Sequence, residues 1–417
     1  MLLLLCPLLC LAQTESADST VSKWVKAVSR LHVGGYGEAI YSRNFYSDSP
    51  FRYSSPSAHR DDPTHGRFDL PHAVVYLGYD FGRGWRFNTE IEFEHGGSGS
   101  AVEKEGEEGG EWETEVEKGG EVELEQFWIE KSFCKQLNVR AGHIIVPVGM
   151  TNAQHEPLNF FTCYRPEGEN TLLPCTWHRN GISLWGKAGD WRYELQATSG
   201  LDAMMFNRTN WVKYGSHSPY EFEVANRFGF AARVDNYSVK GLRIGASAYY
   251  GQTMNNTYPN DTKKYADVKG SLWIASVDFT YKGHNWIARG YADYGHLGDV
   301  QEIYELKSLN KKAPYKRSDM GSQAYAFCLE AGYNVFSQIN KLRGKQQLYV
   351  FGHAEHYDSY VDCITPYTQK TIVAAGINYM PIKQVAIKAE YNHRFMKSPY
   401  NDEPSLNIGI VYQGFFL

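Results

Sequence analysis

Hydrophobic and polar residues alternate along most of this chain. In RFGFAARVDNYSVKGLRIGASAYYGQ, Phe228, Phe230, Ala232 and Val234 share one face, and Arg227, Gly229, Ala231, Arg233 and Asp235 share the other. A short turn at Asn236–Gly241 follows. Leu242, Ile244, Ala246, Ala248 and Tyr250 then alternate with Arg243, Gly245, Ser247 and Tyr249. This period predicts strands with two unlike faces. The unit recurs downstream. Trp273, Ala275, Val277 and Phe279 oppose Asp278, while Trp286, Ala288, Ala292 and Tyr294 oppose Arg289 and Asp293. Val385, Ile387, Ala389 and Tyr391 likewise oppose Lys388, Glu390, Asn392 and Arg394. The final SLNIGIVYQGFFL alternates Leu406, Ile408, Ile410 and Tyr412 with polar or small neighbours.

Counting such segments gives about sixteen strands in the length range of membrane-spanning ones. Short turns fall near Phe81–Gly84, Lys131–Gln136, Ala188–Asp190, Asn236–Gly241, Lys282–Asn285, Ser337–Lys345 and Met380–Lys383. Between them lie much longer links, such as Asn44–Arg67, His95–Gly120, Pro147–Asn180 and Leu297–Met320. Short turns at one end and long loops at the other are the asymmetry of outer-membrane barrels. A barrel this wide cannot be filled by its own side chains. Its apolar face therefore points outward into lipid, and its polar face lines the lumen. The expected fold is all-β: a closed antiparallel transmembrane β-barrel of residues 31–417. The last strand pairs with the first, His32–Ser42, and the terminal Phe415, Phe416 and Leu417 look like a barrel-assembly signal. Tyr41, Trp85, Trp191, Tyr250, Trp273, Trp286 and Tyr379 fit an interfacial aromatic girdle.

Composition narrows the choice further. Glycine (39) and tyrosine (30) are abundant and mean hydropathy is −0.47, as in a Gly/Tyr-rich β protein. Net charge is −5, which argues against a nucleic-acid partner. The start, MLLLLCPLLCLA, reads as a signal peptide over residues 1–12, followed by a periplasmic segment over 13–30 in which Val21–Arg30 suits one short helix. A lipid-attachment reading at Cys10 is disfavoured by the bulky Leu9.

The stretch FWIEKSFCKQLNVRAGHIIVPVGMTNAQ resembles the phosphate-selective porin family of Gram-negative outer membranes. It has a strand (Phe127–Glu130), a turn (Lys131–Gln136), a second strand (Leu137–Gly142) and a Pro147-Val148-Gly149 approach to a long third loop. The GGYGEA of the first strand and the closing strand look alike too. The resemblance implies a sixteen-stranded barrel, usually a homotrimer, with loop 147–180 folded inward as a constriction. Pro147, Gly149, Arg165 and Arg179 belong to that loop.

With apolar faces outward, the pore-lining candidates are Arg86, Glu90, Glu92, Glu130, Arg140, Arg192, Arg227, Arg233, Arg243, Asp278, Arg289 and Lys388. The family's phosphate-selective members carry an arginine ladder and constriction lysines. Here acids outnumber the arginines, and Ile144-Ile145 stand where a lysine is wanted. The reading is therefore a water-filled porin for passive diffusion of small polar or ionic solutes. A phosphate or oxyanion channel and a surface adhesin or ligand-uptake barrel are the alternatives. The partners are outer-membrane lipid and the solute. No cofactor, zinc spacing or catalytic set stands out, and His143 and His393 face outward without a Ser or Asn partner, so no enzyme is expected. The acidic, Gly-rich segment from Glu94 to Glu125 reads as a solvated loop. Cys163 and Cys175 bracket much of the third loop, and an oxidising compartment would permit a disulfide there.

Overall fold

The computed structural model describes residues 25, 27–96, 102–106, 112–116, 121–218, 222–257, 267–310, 313, 315, 317–361, 363–364 and 366–417. The expected signal peptide and most of the segment after it lie outside these. Nineteen strands are described: β1 (Leu31–Asn44), β2 (His65–Asp69), β3 (His72–Gly82), β4 (Trp85–Glu94), β5 (Val102–Gly106), β6 (Trp112–Val116), β7 (Glu121–Cys134), β8 (Leu137–Ile145), β9 (His178–Ala188), β10 (Trp191–Ser199), β11 (Phe228–Asn236), β12 (Leu242–Gln252), β13 (Ser271–Gly283), β14 (Trp286–Leu297), β15 (Gln323–Asn334), β16 (Gln347–Asp358), β17 (Gln369–Ile382), β18 (Val385–Met396) and β19 (Glu403–Phe415).

All but β5 and β6 join one 17-stranded antiparallel sheet. It closes where β1 meets β19, from Gly34↔Phe415 to Asn44↔Ser405. β2 and β3 both pair with β1, one above the other, and act as two pieces of one stave. Leu70-Pro71 separates them, and a proline supplies no ladder N–H. The barrel therefore has sixteen staves, each next to its neighbours in sequence.

The faces are inverted relative to a water-soluble barrel. Along β10, Leu195 is 58% exposed and Glu194 only 3%. The same holds around the wall: Phe230, Ile244, Val277, Leu329 and Ile410 are exposed, whereas Arg233, Asp278, Arg289, Glu330 and Lys388 are buried. Only lipid makes that arrangement favourable. Trp85, Trp191 and Trp286 lie exposed at the short-turn end, and Tyr250 and Trp273 toward the other.

Two strand boundaries differ from expectation. The Asn334–Gln347 connection, read as a short turn, carries a 3-10 turn at Val335–Gln338 and is the roomiest on its side. The acidic segment does not run to Glu125 as a loop, because β7 starts at Glu121. Between Glu90↔Gln126 and Ile91↔Leu124 the register shifts by one residue, leaving Glu125 as a bulge. Val122 and Leu124 then face out on one side of the bulge, and Phe127 and Ile129 on the other.

Candidate pore and inner loop

The segment after β8 turns into the barrel. At its neck the Val146 N–H donates to the Trp177 carbonyl at 2.8 Å. Fully buried Asn152 closes the same neck, donating to the Val146 carbonyl at 2.5 Å and accepting from the Trp177 N–H. Gly149 has φ +82°, and a Cβ there would sit 2.6 Å from a Glu169 oxygen, so this turn requires glycine. Glu169 accepts the N–H groups of Met150 at 2.6 Å and Thr151 at 2.5 Å.

Beyond the neck, charged wall residues fasten the loop backbone. Lys388 Nζ donates to the carbonyls of Pro157, Phe160 and Thr162 at 2.6, 2.9 and 2.8 Å. Glu330 accepts from the Phe161 N–H at 3.2 Å and Glu390 from the Cys163 N–H at 3.0 Å. Glu355 accepts from Glu167 and Gly168 at 2.9 and 2.7 Å. Each charge therefore does the job a neighbouring strand would do for exposed backbone. Burial would raise the Glu167 carboxyl, but Arg394 and Lys370 override it and hold it down at about 2. Burial pushes Glu169 up to about 7, against its two N–H donors, and nearby Asp278 adds to the rise.

The inner loop leaves a chamber on each side. The one toward the short turns has about 760 Å³ and is lined by Glu90, Arg140, His155, Arg192, Arg233 and Arg243, among others. The one toward the long loops has about 380 Å³, with Arg165, Glu167, Lys213, Arg394 and Glu403 in its wall. Above the neck, Leu172, Leu173 and Trp177 join Leu201, Phe206 and Trp211 in one apolar cluster. Residues 201–212 thus also pack inward, with Trp211 donating to the Gly321 carbonyl at 2.9 Å.

No family model matches the chain. It is 28% identical over 403 residues to an uncharacterized protein of Aquifex aeolicus (strain VF5), a match covering 94% of this chain and 80% of that one. Among solved structures it is similar to an anion-selective porin from Comamonas acidovorans (TM-score 0.55, 10% identity, 92% of this chain and 99% of that one). OmpF of Salmonella typhi aligns with a TM-score of 0.54 at 9% identity, over 92% and 97% of the two chains. The outer membrane channel DcaP of Acinetobacter baumannii gives 0.51 at 11% identity, again over 92% and 97%. The fold is that of the outer-membrane porins.

Within this porin-type barrel five of the seven arginines expected to line the pore are paired with acids. Arg140 lies 2.9 Å from Glu130, and Arg192 lies 2.5 Å from Glu194. Arg233 bridges Asp235 and Asp278 at 2.9 and 2.8 Å, and Arg243 contacts the same two at 2.8 and 2.5 Å. Arg289 sits 2.8 Å from Glu330 and over the Phe161 ring. Arg86 is exposed near the short turns. Arg227 precedes β11 and is exposed at the long-loop end, away from the other arginines. Arg179 donates to the carbonyls of Ser199, Gly200 and Ser216, so it ties the next loop down rather than facing the chambers.

The disulfide that the sequence would permit is not formed in this structure. Cys163 and Cys175 are free thiols. Cys163 lies over Gly409 with its N–H on Glu390, while Cys175 packs into the apolar cluster at the neck.

Three residues that the alternation pattern does not single out complete the inner surface. Tyr36 donates to Glu92 at 3.3 Å and accepts from Arg165 at 3.1 Å. His155 Nε2 lies 3.5 Å from Glu90. Glu125, turned inward by the bulge, is fully buried. The signal for Glu125 was present as a phase slip, since Val122 and Leu124 are out of step with Phe127 and Ile129.

Proposed function

We propose that the protein is a porin of the Gram-negative outer membrane, passing small polar or ionic solutes by diffusion, with the inner loop as its constriction. The observation that carries this reading is a lipid-facing apolar wall around a charged lumen, with a loop fastened across it by Lys388, Glu330, Glu355 and Glu390. A channel explains why so many charges face inward, because a wet lumen solvates what the lipid would not. An enzyme or adhesin barrel gives no reason for a chamber on each side of one cross-lumen loop.

The solute reading is a weakly cation-leaning general pore. The arginines of the larger chamber are neutralised by paired acids, whereas a phosphate-selective pore needs unpaired cations along the path. The likeness to the phosphate-selective family is thus proposed at the level of architecture. A homotrimer is the proposed assembly, in keeping with the structure of OmpT from Vibrio cholerae, which is described as a trimer form. Protein reconstituted in planar bilayers should give stepwise conductance. A folded, heat-modifiable barrel that never conducts would overturn the proposal, and light scattering in detergent tests the trimer.

A further inference from the structure

The β7 bulge leaves an unusual group behind the larger chamber. Glu125 has no exposed surface, and neither of its carboxylate oxygens has a hydrogen-bond partner among the described residues. No arginine or lysine among the described residues comes within ion-pair distance of Glu125 or of its neighbour Glu90. A buried carboxylate left in that state is costly and calls for a cation or a proton. The group facing both acids is His155, whose Nε2 is 3.5 Å from Glu90 Oε1 and 4.0 Å from Glu125 Oε2.

We propose that Glu90, Glu125 and His155 form a divalent-cation site, selective for a first-row transition ion such as zinc, that clips the inner loop to the barrel wall. The ligand atoms of the three all lie within 4.8 Å of one another. An ion about 2.1 Å from nitrogen and oxygen ligands keeps those atoms roughly 3–4 Å apart, and the two distances from His155 Nε2, 3.5 and 4.0 Å, fall in that range. The surroundings orient the ligands. His155 Nδ1 is 3.1 Å from the Asn152 carbonyl, so that nitrogen carries a proton and Nε2 is the atom turned to the acids, where an ion would displace any proton it holds. Gln126 holds the other oxygen of Glu90, leaving Oε1 for the ion. One imidazole with two carboxylates suits zinc, manganese or iron better than magnesium. Access is open, because Glu90 and His155 both line the 760 Å³ chamber. The ion would join the loop, through His155, to β4 and β7, next to the neck that Asn152 closes.

The test uses full-length protein in detergent, stripped with EDTA and titrated with zinc chloride by calorimetry, with bound metal counted by mass spectrometry. Wild type should bind one zinc per chain at this site. Glu125→Gln and His155→Gln should weaken that binding by about ten-fold or more, the scale seen when even an outer partner of a ligand is lost. Zinc should also raise the temperature of heat modification in wild type and not in Glu125→Gln. The heat-modifiable gel band reports that each variant is folded. Folded wild type that takes up no zinc would overturn the proposal and leave the Glu125 charge met by a proton or by a protonated His155. Equal zinc binding in wild type and both variants would place the ion elsewhere and overturn it too. Magnesium chloride binding as tightly as zinc would remove the transition-ion assignment.

Discussion

The inward face of the barrel has two unlike sectors. On β8 and β10 to β12, arginines and acids alternate and every guanidinium there meets a carboxylate: Arg140 with Glu130, Arg192 with Glu194, and Arg233 and Arg243 with Asp235 and Asp278. On β1, β4 and β7, Glu38, Glu90, Glu92 and Glu125 are all buried, and Arg165 from the inner loop is the one arginine or lysine among the described residues that approaches any of them, at 3.8 Å from Glu92. Both sectors are rich in charge, but only the second has a surplus. A balanced set of pairs gives a rigid, wet wall with little net field. A surplus sets the sign of what is attracted. Counting charged residues along the sequence treats the sectors alike, and pairing separates them.

The largest expected effect concerns the loop that lies between the sectors. Removing residues 152–177 should raise single-channel conductance several-fold. Unchanged conductance in a folded variant would mean that the narrowest point lies elsewhere. Lys388→Met comes next. It leaves three buried loop carbonyls without their donor, at a cost of about 1–3 kcal/mol for each unsatisfied group. The loop should partly release, seen as noisier and larger conductance and a lower heat-modification temperature. A variant with wild-type traces would show that Lys388 does not hold the loop.

Changing Arg192, Arg233 and Arg243 together to Gln tests the balanced sector directly. Asp235 and Asp278 lose their partners, and the reversal potential should move toward cations, most clearly at low salt where screening is weakest. A potential that stays put would mean these pairs stand away from the ion path.

The smallest effect is on pH. The Glu169 carboxyl, raised to about 7, favours the protonated, docked loop. A raised value contributes stability below the ordinary carboxyl range and loses it as pH rises toward neutrality. Asp278 and Asp293 face this group along with the Met150 and Thr151 N–H groups, so the shift belongs to a small cluster. Heat-modification temperature should fall modestly as pH rises from 5 to 7. Glu169→Gln should flatten that slope, and an unchanged slope would assign it to other groups.

The barrel was legible because lipid and lumen impose opposite demands on successive residues, so Leu195 and Glu194 announce their faces directly. Closure was legible for the same reason, since the alternation of Leu406 to Tyr412 needs a partner and β1 supplies it. What periodicity could not carry was the fate of each charge. Lys388 and Arg233 sit at equivalent inward positions, yet Lys388 caps three loop carbonyls, whereas Arg233 joins an ion-pair network and caps the Gly149 carbonyl alone. That choice depends on where the inner loop passes, which is set by contacts far apart in sequence. Arg227 kept the inward phase but fell beyond the strand end. Glu125 was marked only by a phase slip, because one extra residue reverses the phase of β7.

The most direct test of the account is the reversal potential of the wild-type channel in a potassium chloride gradient at low ionic strength. A conducting pore with a modest preference for potassium is the predicted result, because acids outnumber arginines and lysines in the sector beside the inner loop. A strong preference for chloride, or for phosphate added to one side, would contradict it and mean that the arginines are not neutralised where the ions pass.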